Sequence, residues 1–210
     1  MTAPDDWAIR TEQQVLDEAL AIAPRLGWGR ETLVKAAAAA GLTAPEADLL
    51  FPNGGRDLAA LLSRRHDAAA LAALPDPGAL KIRDRIRAAV VARLDAAQAD
   101  QAALRRWVGF LALPTNLPLA LRLVWESADQ LWRWAGDTAT DENHYSKRAI
   151  LSGILIGTLV QDLTAGRGAA LDTLDARIQN VMDFEKWKAG IKPSDFAKDV
   201  VGALAKARFG

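Results

Sequence analysis

Two histidines and no cysteine set the chemistry open to this 210-residue chain. Without a thiolate there is no disulfide, no thiol nucleophile and no cysteine-ligated metal site. His66 stands among Arg64, Arg65 and Asp67 on a polar stretch and reads as a surface residue, while His144 has no nucleophile that spacing identifies as its partner in general-base work. The Glu-x-x-His pairs of di-iron carboxylate bundles are absent, and Asn53-Gly54-Gly55 reads as an ordinary turn rather than a phosphate cradle. No catalytic residue, metal ligand or cofactor is expected. Aromatic surface is what the chain has in quantity: seven tryptophans, with Trp107, Trp125, Trp132 and Trp134 all in the second half. Large aromatics at helical spacing build either a plain core or the wall of an apolar cavity.

The elements that must hold these residues are helices. Half the residues are hydrophobic, β-branched alternation is absent, and helical periodicity is the only sustained pattern, so an all-α fold is expected. Val15, Leu16, Ala19, Leu20, Ala23 and Leu26 mark one face of a helix over 11–26 that ends at Gly27. Shorter helices follow over 31–40 and 43–50, then a longer one over 56–74. Pro75-Asp76-Pro77-Gly78 is the clearest break, dividing an N-terminal region, 1–74, from a helical domain, 79–185. Beyond it helices are expected over 80–98, with Ile82 and Ile86 inward, and over 101–113, carrying Trp107 and Phe110.

A proline-bracketed helix then places Leu117, Leu121, Val124, Trp125, Ala128, Leu131 and Trp132 on one apolar face, with Trp134 outside it. Gly136-Asp137 stops this helix, and Thr140-Asp141 offer caps to the next, over 147–163, the most apolar of all. On it Gly153 and Gly157 stand four apart, which suits either close helix packing or a ligand chain lying on bare backbone. A further helix over 169–185 leads to a basic, breaker-rich link, 186–193. Ser194 then caps a last amphipathic helix, 194–209.

Net charge is zero, which removes the broad basic field of a nonspecific nucleic-acid binder. The acidic N-terminus carries no apolar signal region, so a cytosolic protein is expected. The most hydrophobic run, Ala149–Val160, falls short of the ~20 residues that span a bilayer, so no crossing segment is expected.

Three motifs carry a resemblance. Pro114-Thr115-Asn116-Leu117-Pro118 is followed by Trp132-Arg133-Trp134-Ala135-Gly136-Asp137-Thr138-Ala139-Thr140-Asp141, then by Asn143-His144-Tyr145-Ser146-Lys147-Arg148. In this order and spacing they resemble the Coq-nine family of ubiquinone-biosynthesis accessory proteins, whose patterns are P-x-N-x-P, W-x-x-A-G-D-x-[ST]-T-D and N-W-Y-x-[KR]-R. Ala139 stands where the family often has serine or threonine, and His144 replaces its tryptophan. The layout of the first helices also resembles the helix-turn-helix head of TetR-type regulators. Here, however, the third helix offers Glu46 and Asp48 and no basic or amide side chain, so the head is expected to be vestigial and to bind no nucleic acid.

The resemblance implies a non-enzymatic protein that binds a polyprenylated quinone or other isoprenoid lipid in a TetR-like bundle. It further implies that the protein hands the lipid to demethoxyubiquinone hydroxylase. Trp107, Phe110, Leu113, Leu121, Trp125, Ile150, Ile154 and Leu155 are then expected to line or border the cavity. The segment the family links to hydroxylase binding supplies Leu131, Asp141, Asn143, His144, Tyr145 and Arg148. In the last helix, Phe196, Val200, Val201 and Leu204 would enter the membrane surface while Lys198, Lys206 and Arg208 face anionic lipid. Such a protein sits peripherally on the inner face of the cell membrane, and a homodimer is compatible with it. The alternative is a TetR-type, ligand-responsive transcriptional regulator.

Overall fold

Helix α1, Pro4–Leu26, starts the chain's helical course earlier than its apolar stripe announces. In the computed structural model, the backbone of residues 4–138 and 142–190 and the side chains of 7–138 and 144–183 are described. Among the described residues eight more helices follow: α2 (Arg30–Ala39), α3 (Ala44–Leu50), α4 (Gly55–Ala73), α5 (Ile82–Gln98), α6 (Gln101–Leu111), α7 (Leu117–Trp134), α8 (Glu142–Ala165) and α9 (Arg167–Gly190). A 3-10 turn, Pro77–Ala79, sits at the Pro-Gly break. Among the described residues there is no strand, and the protein is all-α. The helix boundaries follow local chemistry. Thr43 and Glu46 close α3 with a reciprocal capping box, and Pro118 lies in the first turn of α7, where its missing amide hydrogen costs nothing. Of the expected link over 186–193, residues 186–190 are helical, because α9 continues to Gly190, and 191–193 lie outside the described residues.

Two apolar clusters hold the helices together. The first joins Val15 and Leu16 of α1, Trp28, Leu58 and Leu62 of α4, Leu104 and Trp107 of α6, Leu119 and Leu123 of α7, and Leu163 of α8. The second joins Ile86, Val90 and Leu94 of α5 to Leu131, Leu151, Ile154, Leu174 and Ile178. Each such side chain, fully buried, is worth roughly 1.5–3 kcal/mol. The first cluster draws on both sides of Pro75–Gly78, so that break separates helices rather than cores. The head is locked to the rest as well. A Cβ on Gly55 would stand 1.8 Å from the Trp28 carbonyl oxygen, and the Trp28 indole donates to the Ala103 carbonyl at 3.3 Å.

Helix α7 serves both clusters and must change its buried face along its length. Leu119 and Leu123 point into the first, and Ala128, Leu131 and Ala135 into the second. The single apolar band read from the sequence is therefore wrong at its start: Leu117 and Leu121 are half exposed. Ile82, expected inward, is exposed too.

Contrary to expectation, the 22-residue stretch His144–Ala165 of α8 is long and apolar enough, by length and composition, to cross a membrane. Here it packs between α7 and α9 and carries buried Arg148 and Asp162. Of its two glycines, Gly153 faces open space, and Gly157 is covered by the Arg177 guanidinium, 3.0 Å from where a Cβ would lie.

Candidate functional site

The motif-rich segment folds into an ion-paired corner. Gly136 adopts φ 90°, a conformation that favours glycine, and this ends α7 so that Asp137 turns back toward α8. Asp137 accepts from Lys147 Nζ and from Arg148, both at 2.6 Å, while Arg148 Nε donates to Asp129 at 2.8 Å. Trp132 donates its indole hydrogen to the Lys147 carbonyl, and the Lys147 ammonium lies 5.4 Å from the Trp132 ring centre. Burial works to raise the Asp137 carboxyl, but the hydrogen bonds from Lys147 and Arg148 outweigh it and hold it below the usual carboxylate range. The Gly-Asp and Lys-Arg of the motifs thus clamp α7 to α8. On the outside of this corner Tyr145 is 64% exposed, edge-on to His144 at 5.2 Å and 6.2 Å from Trp125.

A cleft of ≈ 290 Å³ opens among α4, α5, α6, α7 and α8. Its walls are apolar: Leu94, Trp107, Val108, Leu111, Leu123, Val124, Leu155 and Leu159. The Trp107 indole hydrogen is given to the Ala59 carbonyl at 2.9 Å, so its one polar atom is satisfied away from the cleft. Half-exposed Leu117, Leu121, Ile156 and Val160 stand at its mouth. Only Ser63, Arg93 and Ser127 bring polar atoms to the lining, and beneath them Asp67 accepts from Arg93 Nε at 2.6 Å and from Ser127 at 2.9 Å. Burial raises the Asp67 carboxyl despite these partners. A second apolar recess, ≈ 240 Å³, lies among α5, α7, α8 and α9, with Trp132, Ile150 and Ile154 in its wall.

The expected cavity residues divide among three places. Trp107, Leu121 and Leu155 line the larger cleft, and Ile150 and Ile154 the second recess. Phe110, Leu113 and Trp125 line neither: Phe110 packs against the first cluster, Leu113 is exposed beyond α6, and Trp125 turns to Tyr145.

Among the partner-surface residues, Leu131 is fully buried and Arg148 is 1% exposed. Neither can touch a partner. Leu131 is core, and Arg148 is drawn inside by two carboxylates. His144 and Tyr145 remain near the surface, whereas Asp141, the Asn143 side chain and all of Phe196, Lys198, Val200, Val201, Leu204, Lys206 and Arg208 lie outside the described residues.

His66 is not a surface residue but 2% exposed, donating through Nε2 to Asp100 at 2.8 Å. Burial and nearby Arg93 push its pKa down to about 4, so it is neutral near pH 7 and the contact is a hydrogen bond rather than an ion pair. The polar floor of the cleft also escaped sequence reading. Its one legible signal was Arg93, which falls in the inward row Ile86, Ala89, Val90, Arg93, Leu94, Ala97 of α5.

Comparison with known proteins bears on this region directly. The COQ9 family model matches residues 117–185, the span from α7 into α9 that holds the clamp and one wall of the cleft. The ubiquinone biosynthesis protein COQ9-B, mitochondrial, of Xenopus laevis is 28% identical over 187 residues, covering 81% of this chain and 62% of its own length. Its counterparts named COQ9, mitochondrial, are 29% identical over 184 residues in Rattus norvegicus (82% of this chain, 59% of that protein) and 26% over 183 in Homo sapiens (82% and 58%). The chain thus spans less than two thirds of the length of these curated relatives. With the three motifs in register and the match centred on the helices they clamp, the chain is similar to the COQ9 proteins over most of its length and to the COQ9 family model over α7 to α9.

Proposed function

We propose that this chain is a non-enzymatic, lipid-binding accessory protein of ubiquinone biosynthesis. In this reading it takes polyprenylated quinone intermediates from the membrane and presents them to demethoxyubiquinone hydroxylase. The observation that carries the proposal is the apolar cleft with an apolar mouth. At ≈ 290 Å³ it stands at the lower edge of small-molecule sites, roughly 300–1,000 Å³, so it encloses a ring or a short length of chain but no long polyprenyl tail. The remaining tail stays in lipid or lies over the mouth at Leu117, Leu121, Ile156 and Val160, and each Å² of apolar surface kept from water contributes about 25 cal/mol. Such a carrier needs no catalytic group. Attachment is peripheral, on the cytoplasmic face of the cell membrane, through the segment 194–209, and a homodimer is compatible with it.

Mass spectrometry of lipids copurified with the full chain tests the reading. Enrichment of isoprenoid quinone precursors over bulk phospholipid is expected; phospholipid in membrane proportions would overturn it. Tyr145→Ala should weaken hydroxylase capture without unfolding the protein, and unchanged affinity would move that interface elsewhere. A chain ending at Lys192 should lose cosedimentation with anionic liposomes. Duplex DNA is expected not to bind, since Glu46 and Asp48 oppose a phosphate backbone and exposed Leu49 stands beside them on α3.

A further inference from the structure

A polar cluster apart from both the clamp and the cleft floor occupies the corner between α8 and α9. Asp162, in the last turn of α8, has a side chain only 1% exposed, and Gly166, at φ 87°, turns the chain so that Arg167 opens α9. The Arg167 guanidinium reaches across to α5, where its Nη2 donates to the Asp95 carboxylate and to the Val91 carbonyl. Asp162 Oδ2 accepts from the side-chain amide of Gln98, the last residue of α5. Two atoms are left over. Asp162 Oδ1 and Arg167 Nη1 are both buried, and neither has a hydrogen-bond partner among the described residues. Nη1 stands 3.8 Å from Asp162 Oδ2, too far for a direct hydrogen bond. Leaving a charged acceptor and a charged donor buried and unpaired costs more than an ordinary hydrogen bond contributes, so protein interiors seldom do it.

We propose that this corner is a binding site for a single internal water, which donates to Asp162 Oδ1 and accepts from Arg167 Nη1. The class of ligand follows from what the two atoms require. It must accept from a guanidinium and donate to a carboxylate across a separation just beyond hydrogen-bond range, and one water molecule does both. An anion would face the Asp162 carboxylate, and a metal cation would face the Arg167 guanidinium. Two polar partners in a buried setting are enough to retain a water. The place of the site gives it consequence. Leu155 and Leu159, which line the larger cleft, stand on α8 within two turns of Asp162, so the water fastens the end of that wall to α9 beside the α5 contacts of Gln98 and Arg167. The site belongs to the fold and is independent of what the cleft binds.

A crystal structure of the full chain tests the site, together with oxygen-17 magnetic relaxation dispersion, which counts long-lived internal waters in solution. One ordered water is expected within hydrogen-bond range of both Asp162 Oδ1 and Arg167 Nη1. Joining Asp162→Leu to Gln98→Leu removes the acceptor without stranding the amide, and this variant should hold one long-lived water fewer. Asp162→Asn keeps an acceptor of the same shape and should keep the count of the unaltered chain. Where the doubly altered chain does not fold, Arg167→Met removes the other partner, from the more exposed side, and should lower the count in the same way. A direct hydrogen bond between Arg167 Nη1 and Asp162 in the crystal overturns the proposal, as does another atom of the chain seated between them. An unchanged count in the leucine variant, or in Arg167→Met where that takes its place, does so as well.

Discussion

The clamp between α7 and α8 and the floor of the cleft are both buried polar clusters, yet they are built to opposite ends. In the clamp the bonding is closed: Asp137 and Asp129 accept, Arg148 and Lys147 donate, and the turn at Gly136 exists to bring them together. On the floor, Asp67 holds Arg93 and Ser127, and Ser63, Arg93 and Ser127 border an apolar cleft. A closed network contributes rigidity and a fixed register. One that borders a cleft brings polar side chains to an otherwise apolar wall.

Breaking the closed cluster should have the largest effect. Arg148→Met would take one charge-assisted hydrogen bond from each of two carboxylates, leaving Asp137 with Lys147 and Asp129 with Arg133, at a cost of about 3–5 kcal/mol in all, or a fall in melting temperature on the order of 10 °C for a chain of this size. Thermal unfolding followed by circular dichroism measures it. A loss near that of an average surface substitution would mean that the clamp does not hold the helices.

Next in size is a pH effect centred on His66, just below the cleft floor. Its folded pKa, about 4, lies below the ordinary histidine value near 6.5, so between these limits the unfolded chain binds a proton that the folded chain refuses. Stability should therefore be complete above pH ~6.5, fall as pH drops through that window, and level off below about 4, with a loss of about 2–3 kcal/mol. Asp67, whose pKa is raised, works the other way and trims the loss, whereas the depressed Asp137 and Asp175 lose stability only further into acid, below the ordinary carboxylate value. Denaturant titrations of the native chain and of His66→Phe should diverge across the window. Parallel curves would assign the pH dependence to other groups.

The mouth of the cleft sharpens the contrast from the other side. Leu121 is half exposed, so Leu121→Asp should shift stability by no more than about 0.5 kcal/mol, yet lower the proposed lipid binding on the order of tenfold by placing a charge at the cleft's apolar mouth. Calorimetry and dialysis on the same preparation separate the two. The smallest expected change is Gly153→Ala. With open space where its Cβ would go, it should stabilise α8 by about 0.5–1 kcal/mol and leave lipid binding unaltered; loss of binding would return Gly153 to the ligand path.

Legibility in the sequence follows the same division. The clamp's parts lie close along the chain, from Asp129 to Arg148, so all but Asp129 stood out within motifs, even though the role expected of Arg148 and Leu131, contact with a partner, gave way to burial. The exposed face of α7 was misread because its apolar residues serve two clusters and the mouth of a cleft, and periodicity reports apolar spacing without saying which apolar neighbour waits on each side. His66 looked solvated for a related reason: Arg64, Arg65 and Asp67 are its neighbours in sequence, but on a helix adjacent residues point to different faces.

By itself the sequence determined the all-α course of the chain, because capping, proline placement and apolar period act within a turn or two of helix. It also placed Gly136-Asp137 at the end of α7 and Lys147-Arg148 shortly after it, but their ion pairing was decided by the fold. Only the tertiary structure decided that Ser63, Arg93 and Ser127 share one floor, since they come from three helices and meet through long-range packing. Burial makes the same distinction. A guanidinium or a hydroxyl has one chemistry in the chain, and its energetic weight changes only when the fold takes it out of water beside particular partners.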